Sequence, residues 1–136
     1  MTPIPARLLL YVRDIGAMAG FYCRHFGFSP ALATGDGILE PHHPAGGLIL
    51  MLHRAARSQR PGRSAVKLVF DVRDVAAICD TPRANGHLLG PLHQAEGYAF
   101  ANTRDPSMNP VSVSSRAFRT APPQQGDGRS GAAADP

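Results

Sequence analysis

Two hydrophobic periods alternate along the chain. Residues 7–15, RLLLYVRDI, are an apolar run of strand length that ends at Asp14. Beyond it Ile15, Met18, Tyr22 and Phe26 recur at three- and four-residue spacing, the period of an amphipathic helix. Asp14 is placed to cap that helix, because a short carboxylate accepts its first free amides, and Gly27 is placed to end it. The same order of features returns sixty residues later as KLVFDVRDV, residues 67–75. Asp74 is the matching cap, and Val75, Ile78 and Cys79 begin a second helical pattern. Pro82 predicts a kink or a restart capped by Thr81, and Asn85-Gly86 a stop.

Short strand-like runs follow each helix. In the first half they are Ala31–Thr34, Ile38–Glu40 and Leu48–His53, separated by Gly35-Asp36-Gly37 and by Pro41–Gly47. In the second half they are His87–Leu89, Tyr98–Asn102 and Val111–Ser115, separated by Gly90-Pro91 and Asp105–Pro110. The pattern predicts an α+β fold of two tandem βαβββ modules, at about 4–54 and 65–118, joined by a linker at about 55–64. One helix covers one face of its sheet. Two modules side by side therefore make a curved, cup-like mixed sheet, with helices outside and an inner face suited to a small molecule. The domain spans 1–118. From Arg119 the chain reads RTAPPQQGDGRSGAAADP, with no large apolar residue, which predicts a disordered tail over 119–136.

Composition narrows the function classes. With 136 residues, 43% hydrophobic and 18% charged, the chain suits one domain with a core of its own. No run approaches the roughly 20 apolar residues of a membrane span, and the N-terminus lacks an export leader pattern. The two cysteines, Cys23 and Cys79, fall inside helical patterns and read as core thiols. A cytoplasmic setting is expected. The net charge of +4 is nearly all arginine, Lys67 being the single lysine. Arg54, Arg57, Arg60 and Arg63 are interrupted by Ser58, Pro61 and Gly62 and carry no interleaved aromatics, which argues against a nucleic-acid platform. No Ser-His-Asp order, phosphate-binding glycine loop or CxxC occurs.

The stretch LLYVRDIGAMAGFYCRHFGF resembles the opening of the vicinal oxygen chelate superfamily, which includes glyoxalase I, extradiol dioxygenases, and fosfomycin and bleomycin resistance proteins. The resemblance rests on Val12-x-Asp14, Phe21-Tyr22 and Phe26-Gly27-Phe28. VFDVRDV and Asn85-Gly86 extend it, and Asp105-Pro106-Ser107-Met108-Asn109 resembles the family's turn before the last strand. It implies the paired βαβββ fold and, in catalytic members, one divalent metal held by His or Glu from the first and last strands of each half. Carried over by motif, those four positions are Arg7, Met51, Lys67 and Ser112. Two cations, a soft thioether and a neutral hydroxyl are poor ligands for such an ion. The resemblance is therefore to the metal-free, bleomycin-resistance-like branch, with no cofactor. It also implies a homodimer, since that branch builds its cups between chains.

Strand alternation then gives a lining. Arg7, Leu9 and Tyr11 point into the cup, as do Lys67, Val69 and Asp71. Ile49, Met51 and His53 share the space, with Ser112 and Ser114 opposite and Tyr98 and Phe100 as an aromatic wall. Two buried cations in an apolar pocket need a counter-charge. Either Asp71, Glu40 or Glu96 supplies it, or the ligand is an organic anion. His42 and His43 lie between prolines and read as loop, and His25 as exposed. Three functions stay open: a binding module for a small organic molecule, a metal-dependent lyase or dioxygenase drawing on Glu40, His42, His53, Asp71 or Glu96, and a dimeric interaction protein.

Overall fold

The structure, a computed structural model, describes residues 1–30, 35–81 and 87–119. The expected strand at Ala31–Thr34, the Pro82 and Asn85-Gly86 signals, and the expected tail beyond Arg119 lie outside the described residues. Its described residues form two compact units, one within 1–65 together with 105–109, the other within 66–104 together with 110–119.

The first unit holds β1 (Arg7–Val12), α1 (Ile15–Phe26), β2 (Ile38–Leu39) and β3 (Ile49–Arg54). Its sheet runs β1-β3-β2, with β1 parallel to β3 and β2 antiparallel to it. A parallel pair needs a crossover, and α1 lies in that connection. The Asp14 carboxylate accepts the Ala17 amide at 3.0 Å, as its position in the sequence predicts. Gly27 closes the helix at φ +74°, a left-handed conformation that favours glycine. Met18, Phe21 and Tyr22 bury the helix's apolar stripe with Val12, Phe28, Leu50 and Leu52.

That core contains a polar knot. Tyr22 is fully buried, and its hydroxyl donates to Oδ2 of Asp105 at 2.8 Å. The Asp105 carboxylate, only 1% exposed, also accepts the Ser107 amide at 2.9 Å, the Asn109 amide at 3.0 Å and Asn109 Nδ2 at 3.0 Å. Burial, and then the neighbouring Asp105, push the Tyr22 phenol far above its ordinary pKa. The turn built on Asp105 holds Met108 at φ +66°, where glycine is the usual residue.

The second unit holds β4 (Leu68–Asp71), α2 (Val75–Asp80), β5 (His93–Ala95), β6 (Tyr98–Arg104), β7 (Pro110–Ser114) and a 3₁₀ turn (Arg116–Phe118). The sheet order is β4-β7-β6-β5, with β4 parallel to β7 and the other pairs antiparallel. Asp74 caps α2 as Asp14 caps α1, accepting the Ala77 amide at 3.0 Å. Val75, Leu89, Tyr98, Ala101, Val111 and Val113 form the core.

The fold class is the expected α+β one, with one difference in the strands. His87–Leu89 is not a strand, and β5 forms instead at His93–Ala95. Pro91 lacks the amide a ladder needs. The preceding stretch meets β6 through two single bonds, Thr103 Oγ1 to the Leu88 carbonyl and the Gly90 amide to the Asn102 carbonyl, both at 2.8 Å.

Candidate functional site

In the first unit Arg7, Leu9 and Tyr11 are exposed, while Leu8 and Leu10 are half-buried and Val12 is buried. The parallel register sets Arg7 beside Ile49, Leu9 beside Met51 and Tyr11 beside His53, so these six share one face. Arg7 Nε meets Glu40 Oε1 at 3.3 Å, with the two side chains 53% and 39% exposed. A pair so open to water contributes well under about 1 kcal/mol. His53 Nδ1 lies 2.8 Å from the Arg54 carbonyl. A carbonyl only accepts, so Nδ1 is the donor in that contact. The Tyr11 ring meets the His53 ring edge-on, 5.5 Å between centroids.

In the second unit the register places Val69 beside Ser112 and Asp71 beside Ser114, with Asn102 and Phe100 flanking the same serines from β6. The other face of these strands, Ala101, Val111 and Val113, is core. Lys67 is half-buried, and its Nζ donates to Asn102 Oδ1 at 3.1 Å. An open cavity of about 470 Å³ lies on this face, lined by Lys67, Val69, Asp71, Ser114 and Arg116, with Ala117 and Arg119. A second, of about 370 Å³, is lined by Lys67, Asn102, Thr103, Arg104 and Pro110. Arg116 is held in place: its Nη1 donates to the Tyr98 hydroxyl at 3.1 Å, and its guanidinium lies 5.3 Å from the Tyr98 ring centre. Arg119 Nη1 donates to the Arg116 carbonyl at 3.2 Å. The larger cavity thus carries Lys67, Arg116 and Arg119 against the single carboxylate of Asp71.

The sequence-predicted residues divide between the units. Arg7, Leu9, Tyr11, Ile49 and Met51 share the face of the first sheet. Of Lys67, Val69, Tyr98, Phe100 and Ser112, only Lys67 and Val69 line the larger cavity. Ser112 is fully buried and donates to the Ala101 carbonyl at 3.1 Å. Tyr98 is buried beneath Arg116, and Phe100 stacks on His93 at 5.0 Å. Two expectations are corrected. Neither cation is buried, because each lies where its sheet face meets solvent. His25 is half-buried, its ring 5.1 Å from that of Phe21. His42 and His43 are in a loop as expected, His42 forming a single bridge to Ser29. Sequence reasoning missed Asn102, Arg116 and Arg119. Asn102 was within reach, since it alternates with Tyr98 and Phe100 along β6.

The four positions that the family resemblance offers as metal ligands do not fit a divalent ion. Arg7 and Lys67 are cations engaged by Glu40 and Asn102. Ser112 turns its hydroxyl to the backbone, and Met51 offers only a thioether. Among the described residues no three His, Cys, Asp or Glu side chains gather to hold a metal.

Among the described residues the elements run βαββ in the first unit and βαβββ in the second, an α+β arrangement consistent with paired βαβββ modules. The chain belongs to the Glyoxalase/Bleomycin resistance protein/Dioxygenase superfamily, whose family profile matches residues 4–113. Among solved structures it is similar to TnmS3, an antibiotic binding protein from Streptomyces sp. CB03234 (19% identity, 83% of this chain and 94% of that one, TM-score 0.66). It is also similar to a lactoylglutathione lyase from Agrobacterium tumefaciens (17% identity, 90% and 100% covered, TM-score 0.58). A third is a glyoxalase/bleomycin resistance protein/dioxygenase from Nocardioides (19% identity, 84% and 83% covered, TM-score 0.66). At these identities the likeness is one of fold. No curated protein matches the chain. Among the described residues no helix is long and apolar enough to cross a membrane.

Proposed function

We propose that this protein is a metal-free binding module that holds a small organic anion against the sheet of its second unit. The observation that carries the reading is the cavity of about 470 Å³ lined by three cations, Lys67, Arg116 and Arg119, and one carboxylate, Asp71, together with the apolar side chains of Val69 and Ala117. An apolar floor takes a hydrocarbon body, and an excess of fixed donors takes a carboxylate or similar group. The TnmS3 fold likeness supports a binding role, since that neighbour is an antibiotic binding protein. The donor set at Arg7, Met51, Lys67 and Ser112 supports binding without a catalytic metal.

Thermal shift with matched probes tests the reading. 1-Naphthoate should raise the melting temperature, and its neutral amide, 1-naphthamide, should do so much less. Equal shifts from the two overturn the anion preference. Stoichiometric Zn, Ni, Mn or Fe in the purified protein overturns the metal-free reading and favours the enzyme. We extend the proposal to a cytoplasmic homodimer. Light scattering that shows only monomer at high concentration overturns the dimer.

A further inference from the structure

Lys67 is the common wall of the two cavities in the second unit. An ammonium group can only donate, so the Asn102 atom it meets is the carbonyl oxygen, and the contact fixes which way that amide points. The amide nitrogen then forms the other arm of the fork, with two hydrogens. Among the described residues Asn102 Nδ2 makes no hydrogen bond. Lys67 gives one of its three hydrogens to Asn102 and shows no other partner among the described residues. Two donor groups thus stand side by side with spare hydrogens and no acidic residue lining the smaller cavity. The second cluster of donors, Arg116 and Arg119, follows the Ser114 end of β7, whereas Lys67 precedes the residue paired with Val111 at its start. Asp71 is four residues along the strand from Lys67, about 13 Å at the usual strand rise. It pairs with Ser114, two residues before Arg116, so the one carboxylate of the larger cavity lies toward the Arg116 end and away from Lys67 and Asn102.

We infer that the ligand is an elongated organic dianion, one carboxylate-type group on Lys67 Nζ and Asn102 Nδ2, a second on Arg116 and Arg119, and an apolar body across Val69. This rests on the anion-binding reading above and deepens it. Anionic groups find donors at the two ends and only the apolar Val69 between, so the site selects for charge separation as well as charge.

The test is calorimetric titration with suberate, malonate, octanoate and 1-octanol, on the full chain and on Asn102→Asp. That substitution replaces the amide donor by a second acceptor and pairs it with Lys67, so folding should be preserved, as a melting curve will show. Suberate should bind the unaltered protein roughly tenfold more tightly than octanoate or malonate, and N102D should erase the difference. Octanoate binding as well as suberate, with 1-octanol weaker, overturns the dianion and leaves the anion reading standing. 1-Octanol binding as well as both acids overturns the two together. A suberate preference that survives N102D, or no suberate binding at millimolar concentration, overturns the Lys67–Asn102 receptor.

Discussion

The two units begin from nearly the same sentence, RLLLYVRDI and KLVFDVRDV, and use it differently. In the first, the leading cation meets a carboxylate, Glu40, and the same sheet face goes on through Leu9, Tyr11, Met51 and His53. In the second, the leading cation meets a neutral amide, Asn102, and Arg116 and Arg119 add charge to the same face. Identical backbone logic therefore yields one face whose leading cation meets a carboxylate and one that carries three cations against the carboxylate of Asp71. The interiors differ as well. The first unit fixes a twelve-residue helix over a buried tyrosine–aspartate knot, whereas the second packs a six-residue helix and builds its core mainly from aliphatic side chains with Tyr98.

The largest effect should come from the knot. Asp105→Ala strands the Tyr22 hydroxyl and the amides of Ser107 and Asn109 in a dry interior. It should cost about 3 kcal/mol or more in chemical denaturation. A loss under about 1 kcal/mol would mean that the turn reorganises freely and that the first unit is not held in this way.

Next is the contrast between the paired cations. Lys67→Met should weaken naphthoate binding about tenfold in calorimetry. Arg7→Met should leave binding unchanged and move stability by less than about 0.5 kcal/mol, since its ion pair is open to solvent. The reverse ranking would move the site to the first unit.

Smaller still is Tyr22→Phe, which removes one of the four hydrogen bonds on the Asp105 carboxylate and should cost about 1 kcal/mol. It also carries a pH signature. An unfolded tyrosine loses its proton near pH 10, whereas the buried Tyr22 holds its proton well above that. Above pH 10 the folded state binds more protons than the unfolded one, so stability falls as pH rises. A denaturation series from pH 8 to 11 should show that fall, and Y22F should flatten it. One further effect is a gain. Met108→Gly relieves the left-handed backbone and should add up to about 1 kcal/mol, read from the melting temperature.

What the sequence made legible follows from local rules. Both helix starts were visible because a carboxylate cap acts within three residues, at Asp14 and Asp74. The faces of β1 and β4 were visible because alternation needs no knowledge of partners. What depended on register was not. Arg7 had three candidate counter-charges, and Glu40 is selected because β2 pairs with β3, setting Leu39 beside Leu52. Asn102 became the partner of Lys67 because β7 lies between β4 and β6, a neighbourhood that sequence spacing does not state. The strand expected at His87–Leu89 failed for a related reason: apolar content marks burial, and Leu89 is indeed buried, but a ladder also needs a partner for every amide.

The central claim is that the charged sheet face of the second unit is where an organic anion binds. Amide chemical-shift mapping in a titration with 1-naphthoate addresses it residue by residue. The account predicts saturable shifts centred on Lys67, Val69, Ser114 and Arg116, with the naphthamide control leaving them still. Shifts centred instead on Leu9, Met51 and His53, or the same map from acid and amide alike, would contradict it.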